Sequence, residues 1–204
     1  MTTKFQSKAW ISSAIAAWIA ACADASVSEQ DAASSPVPTN LTLIDHSQWH
    51  EFPAEQDPLS SHQPASVDCG PAGWYIEPAL DRALLEIDTN FCNYALLEHP
   101  ALHAIARGDV VRFELRHYDL RAPEPTQAHV AWLFGDRVEW ETTVPIPSDA
   151  AVQSFEWRAR RALAAGAPIR FHLHNHGQNT WLIAELTVTP QRGAPRADTP
   201  APLR

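Results

Sequence analysis

Gly108-Asp109-Val110-Val111-Arg112-Phe113-Glu114-Leu115-Arg116 is the stretch that decides the fold. Val111, Phe113 and Leu115 alternate with Arg112, Glu114 and Arg116. A period of two means a strand with one face in a core and the other in water. Gly166-Ala167-Pro168-Ile169-Arg170-Phe171-His172-Leu173-His174 repeats the pattern: a glycine turn, then a half-buried strand. Working outward, Val130, Trp132 and Phe134 mark a further strand, and Gly135-Asp136 turns it into another carrying Val138, Trp140 and Val144. Phe155 with Trp157, and Trp181 to Val188, supply two more.

Toward the N-terminus, Trp74-Tyr75-Ile76-Glu77, Pro78-Ala79-Leu80-Asp81 and Leu84-Leu85-Glu86-Ile87 read as strand, turn, strand. Two stretches have helical features. Pro100 to Gly108 opens on Pro, closes on Gly and places Leu102 and Ile105 on one face. Arg158 to Ala165 is the second. Six to eight short strands with Pro and Gly turns predict an all-β fold, an antiparallel β-sandwich of jelly-roll type with one or two short helices.

The N-terminal segment carries an address. Lys4 and Lys8 precede an apolar and small-residue run from Ala9 to Ala21, with Cys22 directly after it. A basic start, a short apolar stretch and small residues at a cleavage point mark an export signal. The run covers about 13 residues, short of the roughly 20 that a spanning helix needs. Ile19-Ala20-Ala21-Cys22 resembles the lipobox of bacterial lipoproteins. The resemblance implies cleavage before Cys22, a lipid on Cys22 and membrane association through that anchor. Ala23 in place of Asp implies delivery to the outer membrane. The expected organisation is a signal peptide over residues 1–21 and a tether over 22–40. The sandwich occupies 41–189, with its core in 70–189, and a tail covers 190–204. Within 41–68, Leu41-Thr42-Leu43-Ile44 has strand character, but Pro53, Pro58 and Pro64 interrupt the rest of the segment.

Lys4 and Lys8 are the only lysines, so the region after the leader has 13 Arg against 24 Asp and Glu, and 13 − 24 gives −11. That balance argues against nucleic acid or anionic headgroups as partners. Cys69 and Cys92 flank the predicted hairpin. Export makes a disulfide between them the expected state, joining the open end of that hairpin.

The densest polar cluster is His172, Leu173, His174, Asn175, His176, Gly177, Gln178, Asn179, Thr180 and Trp181. Strand parity puts His172, His174 and His176 opposite Phe171 and Leu173, on a solvated face. Two His at i and i+2 can reach one Zn or Cu ion, with His117, Asp119 or His129 as the outside ligand. The other reading needs no cofactor. Tyr118, His172, His174, His176, Asn179 and Trp181, with Tyr94, are then candidates for a glycan or protein ligand. Trp74, Trp132, Trp140 and Trp157 are expected in the core. Catalysis is not expected: there is no GxSxG or phosphate loop, and Ser148 and Ser154 are the only serines of the β region. Glu139 and Glu141 alternate with Arg137 as a solvated face would.

Phe171-His172-Leu173-His174, Gly177 and Asn179-Thr180 resemble the first copper-binding segment of copper-zinc superoxide dismutases. The likeness covers about ten residues. That family's other metal ligands and catalytic Arg have no counterpart after it, so only the metal competence of a strand His-x-His is carried over. From Leu84 to Val188 the layout resembles galactose-binding-like jelly rolls, the fold of many carbohydrate-binding modules. This resemblance implies a binding module whose last polar turn, Asn175 to Thr180, precedes an aromatic-bearing strand.

Overall fold

The computed structural model describes residues 39–191 apart from 80 and 81. The expected leader, Cys22, nearly all of the tether and most of the tail lie outside the described residues.

Among the described residues eleven strands form two antiparallel sheets. They are β1 (Leu41–Thr42), β2 (His50–Glu51), β3 (Trp74–Ala79), β4 (Arg82–Asp88), β5 (Tyr94–Pro100), β6 (Val110–His117), β7 (Thr126–Phe134), β8 (Arg137–Ile146), β9 (Ala151–Arg158), β10 (Pro168–Asn175) and β11 (Thr180–Thr189). The first sheet runs β3-β4-β11-β6-β9, with β1 paired to β11; the second runs β2-β5-β10-β7-β8. The two strands of matching pattern, β6 and β10, lie inside different sheets, each entered through a left-handed glycine, Gly108 at φ 91° and Gly166 at φ 79°.

The alternation becomes the core directly. Val111, Phe113 and Leu115 from one sheet meet Val130, Trp132, Ile169, Phe171 and Leu173 from the other, all fully buried. The Trp132 ring lies 4.9 Å from Phe171 and 5.6 Å from Phe113, both edge to face. Trp74, Trp140 and Trp157 pack against this core from its margin. A bulge between Ile183 and Glu185 flips the parity of β11. Without it Leu186 and Val188 would point out of the sandwich rather than into it.

Two expectations fail here. Neither Pro100–Gly108 nor Arg158–Ala165 is helical; among the described residues the only helical turns are three-residue 3-10 turns at 46–48, 54–56 and 60–62. The two stretches instead pair with each other at one end of the sandwich. Ile105 and Leu163 exchange backbone hydrogen bonds of 2.8 Å, and Ala101 N–H reaches Ala167 O at 2.9 Å. Backbone groups spent across the gap are not available to a helix. Leu102 is exposed while Ile105 is buried, so they share no face.

Cys69 and Cys92 are bonded, as expected, beyond the open end of the β3–β4 hairpin. Gly70 N–H reaches Phe91 O and Asn93 N–H reaches Asp68 O, so the cysteines face each other at a position without ladder bonds. Strands approach most closely there, and the Cα atoms are 3.9 Å apart. A Cβ on Gly73 would lie 2.8 Å from Cys69 Sγ, so only glycine fits beside the bridge.

Residues 41–51 close one side of the sandwich. The chain pairs with β11 through β1, crosses over, and pairs with β5 through β2. His46 pins the crossing: it contacts Ala184 O at 2.9 Å through Nε2, and its Nδ1 accepts from Trp49 Nε1–H at 3.3 Å. Those partners require the neutral imidazole, and burial pushes its pKa below 6.5. His99, fully buried nearby, is pushed down by the same cause. The unfolded chain binds these protons at about 6.5 while the native state resists them, so stability is complete above about pH 6.5 and declines as the pH falls below it. Thermal melts from pH 8 to 5 should show a flat upper region and a falling melting temperature below it, with a shallower fall in His46→Gln.

Candidate functional site

The outer faces of the two sheets differ. On the second sheet, Arg170, His172 and His174 point outward from β10, as parity predicts, but the face is not solvated. Residues 52–66 lie across it as a strap. Phe52 sits beneath the Arg170 guanidinium at 3.8 Å, and Arg170 donates to Glu98 and Asp136 at 2.6 Å each. Asp57 meets His172 Nδ1 at 2.7 Å and accepts from Tyr94 O–H and from Leu59 N–H. Burial alone would raise the Asp57 pKa; the hydrogen bonds outweigh it and hold the carboxyl below the usual value. Burial, then Asp57, drives the Tyr94 phenol upward.

Beyond His172 the chain of contacts continues. His172 Nε2 faces His129 Nδ1 at 3.1 Å, and His129 Nε2 faces Glu141 at 3.1 Å. His62 of the strap stacks on His129, centroids 3.9 Å apart and planes within 9°. His174 is buried, its Nε2 has no partner, and its ring lies 4.2 Å from that of exposed His176. Burial lowers His129 and takes His174 to about 4. These rings border a cleft of about 280 Å³ with Gln63 and Gln127 on its rim.

The solvated face expected for Glu139 and Glu141 holds for Glu141, whose side chain is about half exposed, and fails for Glu139. Glu139 is buried and accepts from Arg160 N–H at 3.0 Å, while Glu141 serves His129.

On the first sheet the outer face is open. One cross-strand row runs Tyr75, Glu86, Leu182, Arg116, Val152. Tyr75 is 45% exposed, Val152 64%, and Tyr118 just past the end of β6 53%. Leu182, Leu84 and Ala184 form an apolar floor. Tyr75 donates to Glu86 at 2.5 Å. That bond, then burial, raises the Tyr75 phenol to about 12, and burial raises the Glu86 carboxyl. Tyr118, Val152 and Leu182 border a cleft of about 300 Å³ with Arg116 at its side.

The residues singled out from sequence therefore separate into two places. His129, His172 and His174 come together under the strap, with His176 at the rim. His117, Tyr118, Asp119, Asn179 and Trp181 lie together where β6 ends and β11 begins, in the middle of the first sheet. There they hold a loop: His117 contacts Tyr118 O at 2.9 Å through Nδ1, Asp119 accepts from Ala150 N–H at 2.9 Å, and Asn179 Nδ2 donates to Asp119 O at 2.7 Å. Trp181 is fully buried beside His117 and offers no platform; Tyr94, also buried, is occupied by Asp57. His117 and Asp119 do not reach the His172 cluster. Asp57, His62, Tyr75 and Glu86 were not singled out, and Glu141 was read only as part of a solvated face. Asp57 sits between Pro53 and Pro58, in a stretch whose prolines read only as interruptions.

No protein-family model matches the chain, and no curated protein does. Among solved structures the chain is similar to the K2 cleaved adhesin domain of Lys-gingipain, with 13% identity, 74% of this chain, 98% of that one and a TM-score of 0.43. It is also similar to the family 11 carbohydrate-binding module of the cellulosomal cellulase Lic26A-Cel5E of Clostridium thermocellum, with 9% identity, 76% and 97% coverage and a TM-score of 0.43. A third is the C-terminal CBM6 of LamC from Zobellia galactanivorans, with 12% identity, 74% and 100% coverage and a TM-score of 0.39.

Proposed function

We propose that this domain is a non-catalytic binding module that holds a neutral carbohydrate chain on the outer face of the first sheet. One observation carries the reading. Of the two sheet faces, the second is covered by the protein's own strap, whereas the first has no strap and places exposed Tyr75 and Tyr118 around an apolar floor with Arg116 beside it. Sugar rings present apolar faces and hydroxyl edges. Exposed aromatic rings suit the former, and a guanidinium suits the latter. The acidic balance of the chain favours neutral over anionic glycans.

Affinity electrophoresis through a panel of soluble neutral polysaccharides tests this. Retardation by at least one is expected. Tyr118→Ala should weaken it about tenfold, the loss of roughly 1.4 kcal/mol of contact, while melting as the parent does. Retardation by none, or retardation of Tyr118→Ala and Tyr75→Ala that equals the parent's, contradicts the reading.

The module is carried on the cell envelope by a lipid at Cys22, a reading supported by the Ile19-Ala20-Ala21-Cys22 motif. Cys22→Ser should leave the membrane fraction or accumulate unprocessed. Unchanged partition with unchanged N-terminal mass would overturn the anchor.

A further inference from the structure

We propose that the notch between His129 and His172, beneath the strap, is a binding site for one borderline divalent metal ion of the Zn²⁺ or Cu²⁺ class. The proposal starts from proton accounting. A neutral imidazole has one N–H and one lone pair. Asp57 lies 2.7 Å from His172 Nδ1, and Glu141 lies 3.1 Å from His129 Nε2. Each carboxylate fixes the proton of its imidazole on the nitrogen that faces it. Both inner nitrogens, His172 Nε2 and His129 Nδ1, then present lone pairs to each other across 3.1 Å. Two acceptors in that position are unsatisfied unless a cation lies between them.

The spacing suits a metal ion. Two imidazole nitrogens at the usual 2.0–2.1 Å from a tetrahedral ion stand about 3.3 Å apart. The surrounding chemistry agrees. Carboxylates on the far nitrogens are the usual supports of metal-ligating histidines. All-imidazole donors select zinc or copper over magnesium or calcium. Among the described residues no three donors already surround one point. The third comes from His174, whose buried Nε2 has no partner and whose ring lines the same cleft as His129. Its ring rests 4.2 Å from His176 and 5.8 Å from Tyr94, so loading requires it to turn toward His129, its register partner on β7. His117 and Asp119, on the other sheet, take no part.

This site is independent of the open face of the first sheet, so either can fail alone. The test is equilibrium dialysis of the full chain against Zn²⁺ at pH 7.5, after chelator treatment. One equivalent should bind saturably and raise the melting temperature, since an ion that binds only the native state stabilises it. His129→Gln and His174→Gln, which leave the Asp57–His172 pair in place, should each weaken binding at least tenfold. With Cu²⁺ as the probe, electron paramagnetic resonance should show nitrogen coupling from imidazoles that is lost in both variants. No saturable equivalent, or binding unaltered in both variants, overturns the proposal and leaves a proton as the only cation between the rings.

Discussion

Asp57→Ala is expected to destabilise the protein by about 2–6 kcal/mol, because it strips the acceptor from two buried donors at roughly 1–3 kcal/mol each. Both side chains of the Asp57–His172 pair are fully buried. Removing the carboxylate leaves His172 Nδ1 and the Tyr94 hydroxyl without partners in a site water does not reach. It also releases the middle of the strap. Urea unfolding should show the lowered midpoint, and limited proteolysis should find new cleavage between residues 52 and 66. Asp57→Asn keeps an acceptor for Tyr94 and should cost less. Equal midpoints for wild type and Asp57→Ala would mean that the strap contributes nothing to stability.

The paired change Cys69→Ser with Cys92→Ser should cost about 3 kcal/mol, the loop-closure value for a bridge between residues 23 apart. The bridge anchors the end of the strap as well as the hairpin. Asp68 N–H reaches Asn93 Oδ1 at 2.8 Å, and Asn93 Nδ2 reaches Ser66 O at 2.9 Å. Reduction of the wild-type protein should reproduce the loss. A melting temperature that does not move on reduction would contradict it.

Several elements of the fold are legible in the sequence, and the reasons are physical. β6 has one face in the core and one in water, so its burial alternates as its residues do. β10 shows the same alternation, although its outward residues lie buried under the strap. β5 has no such signal. Ala95 and Leu97 face the core, while Tyr94 and Leu96 are buried outside it, beneath the strap. A strand covered on both faces reads as an unbroken apolar run. The helical reading of Pro100–Gly108 failed because its Pro and Gly serve other ends. Pro100 finishes β5, and Gly108 turns the chain into β6.

The candidate sites were legible in halves. Parity placed His172 and His174 on one face, and the register of β10 against β7 sets His174 beside His129. The cover over that face was hidden. Asp57 and His62 reach it from a segment with no periodicity, over 100 residues away in sequence. On the open face Tyr118 was among the aromatic candidates for a ligand platform. Tyr75 and Glu86 were not, because their pairing exists only once β3 lies against β4.

The central claim is that the open face of the first sheet is the ligand surface. An NMR titration of the labelled protein with short neutral oligosaccharides, glucans and galactans in turn, tests it most directly. The account predicts saturable shifts at Tyr75, Tyr118, Val152 and Leu182, with the rings of His62, His129 and His172 unmoved. Shifts gathered under the strap instead, or none with any oligosaccharide, would contradict it.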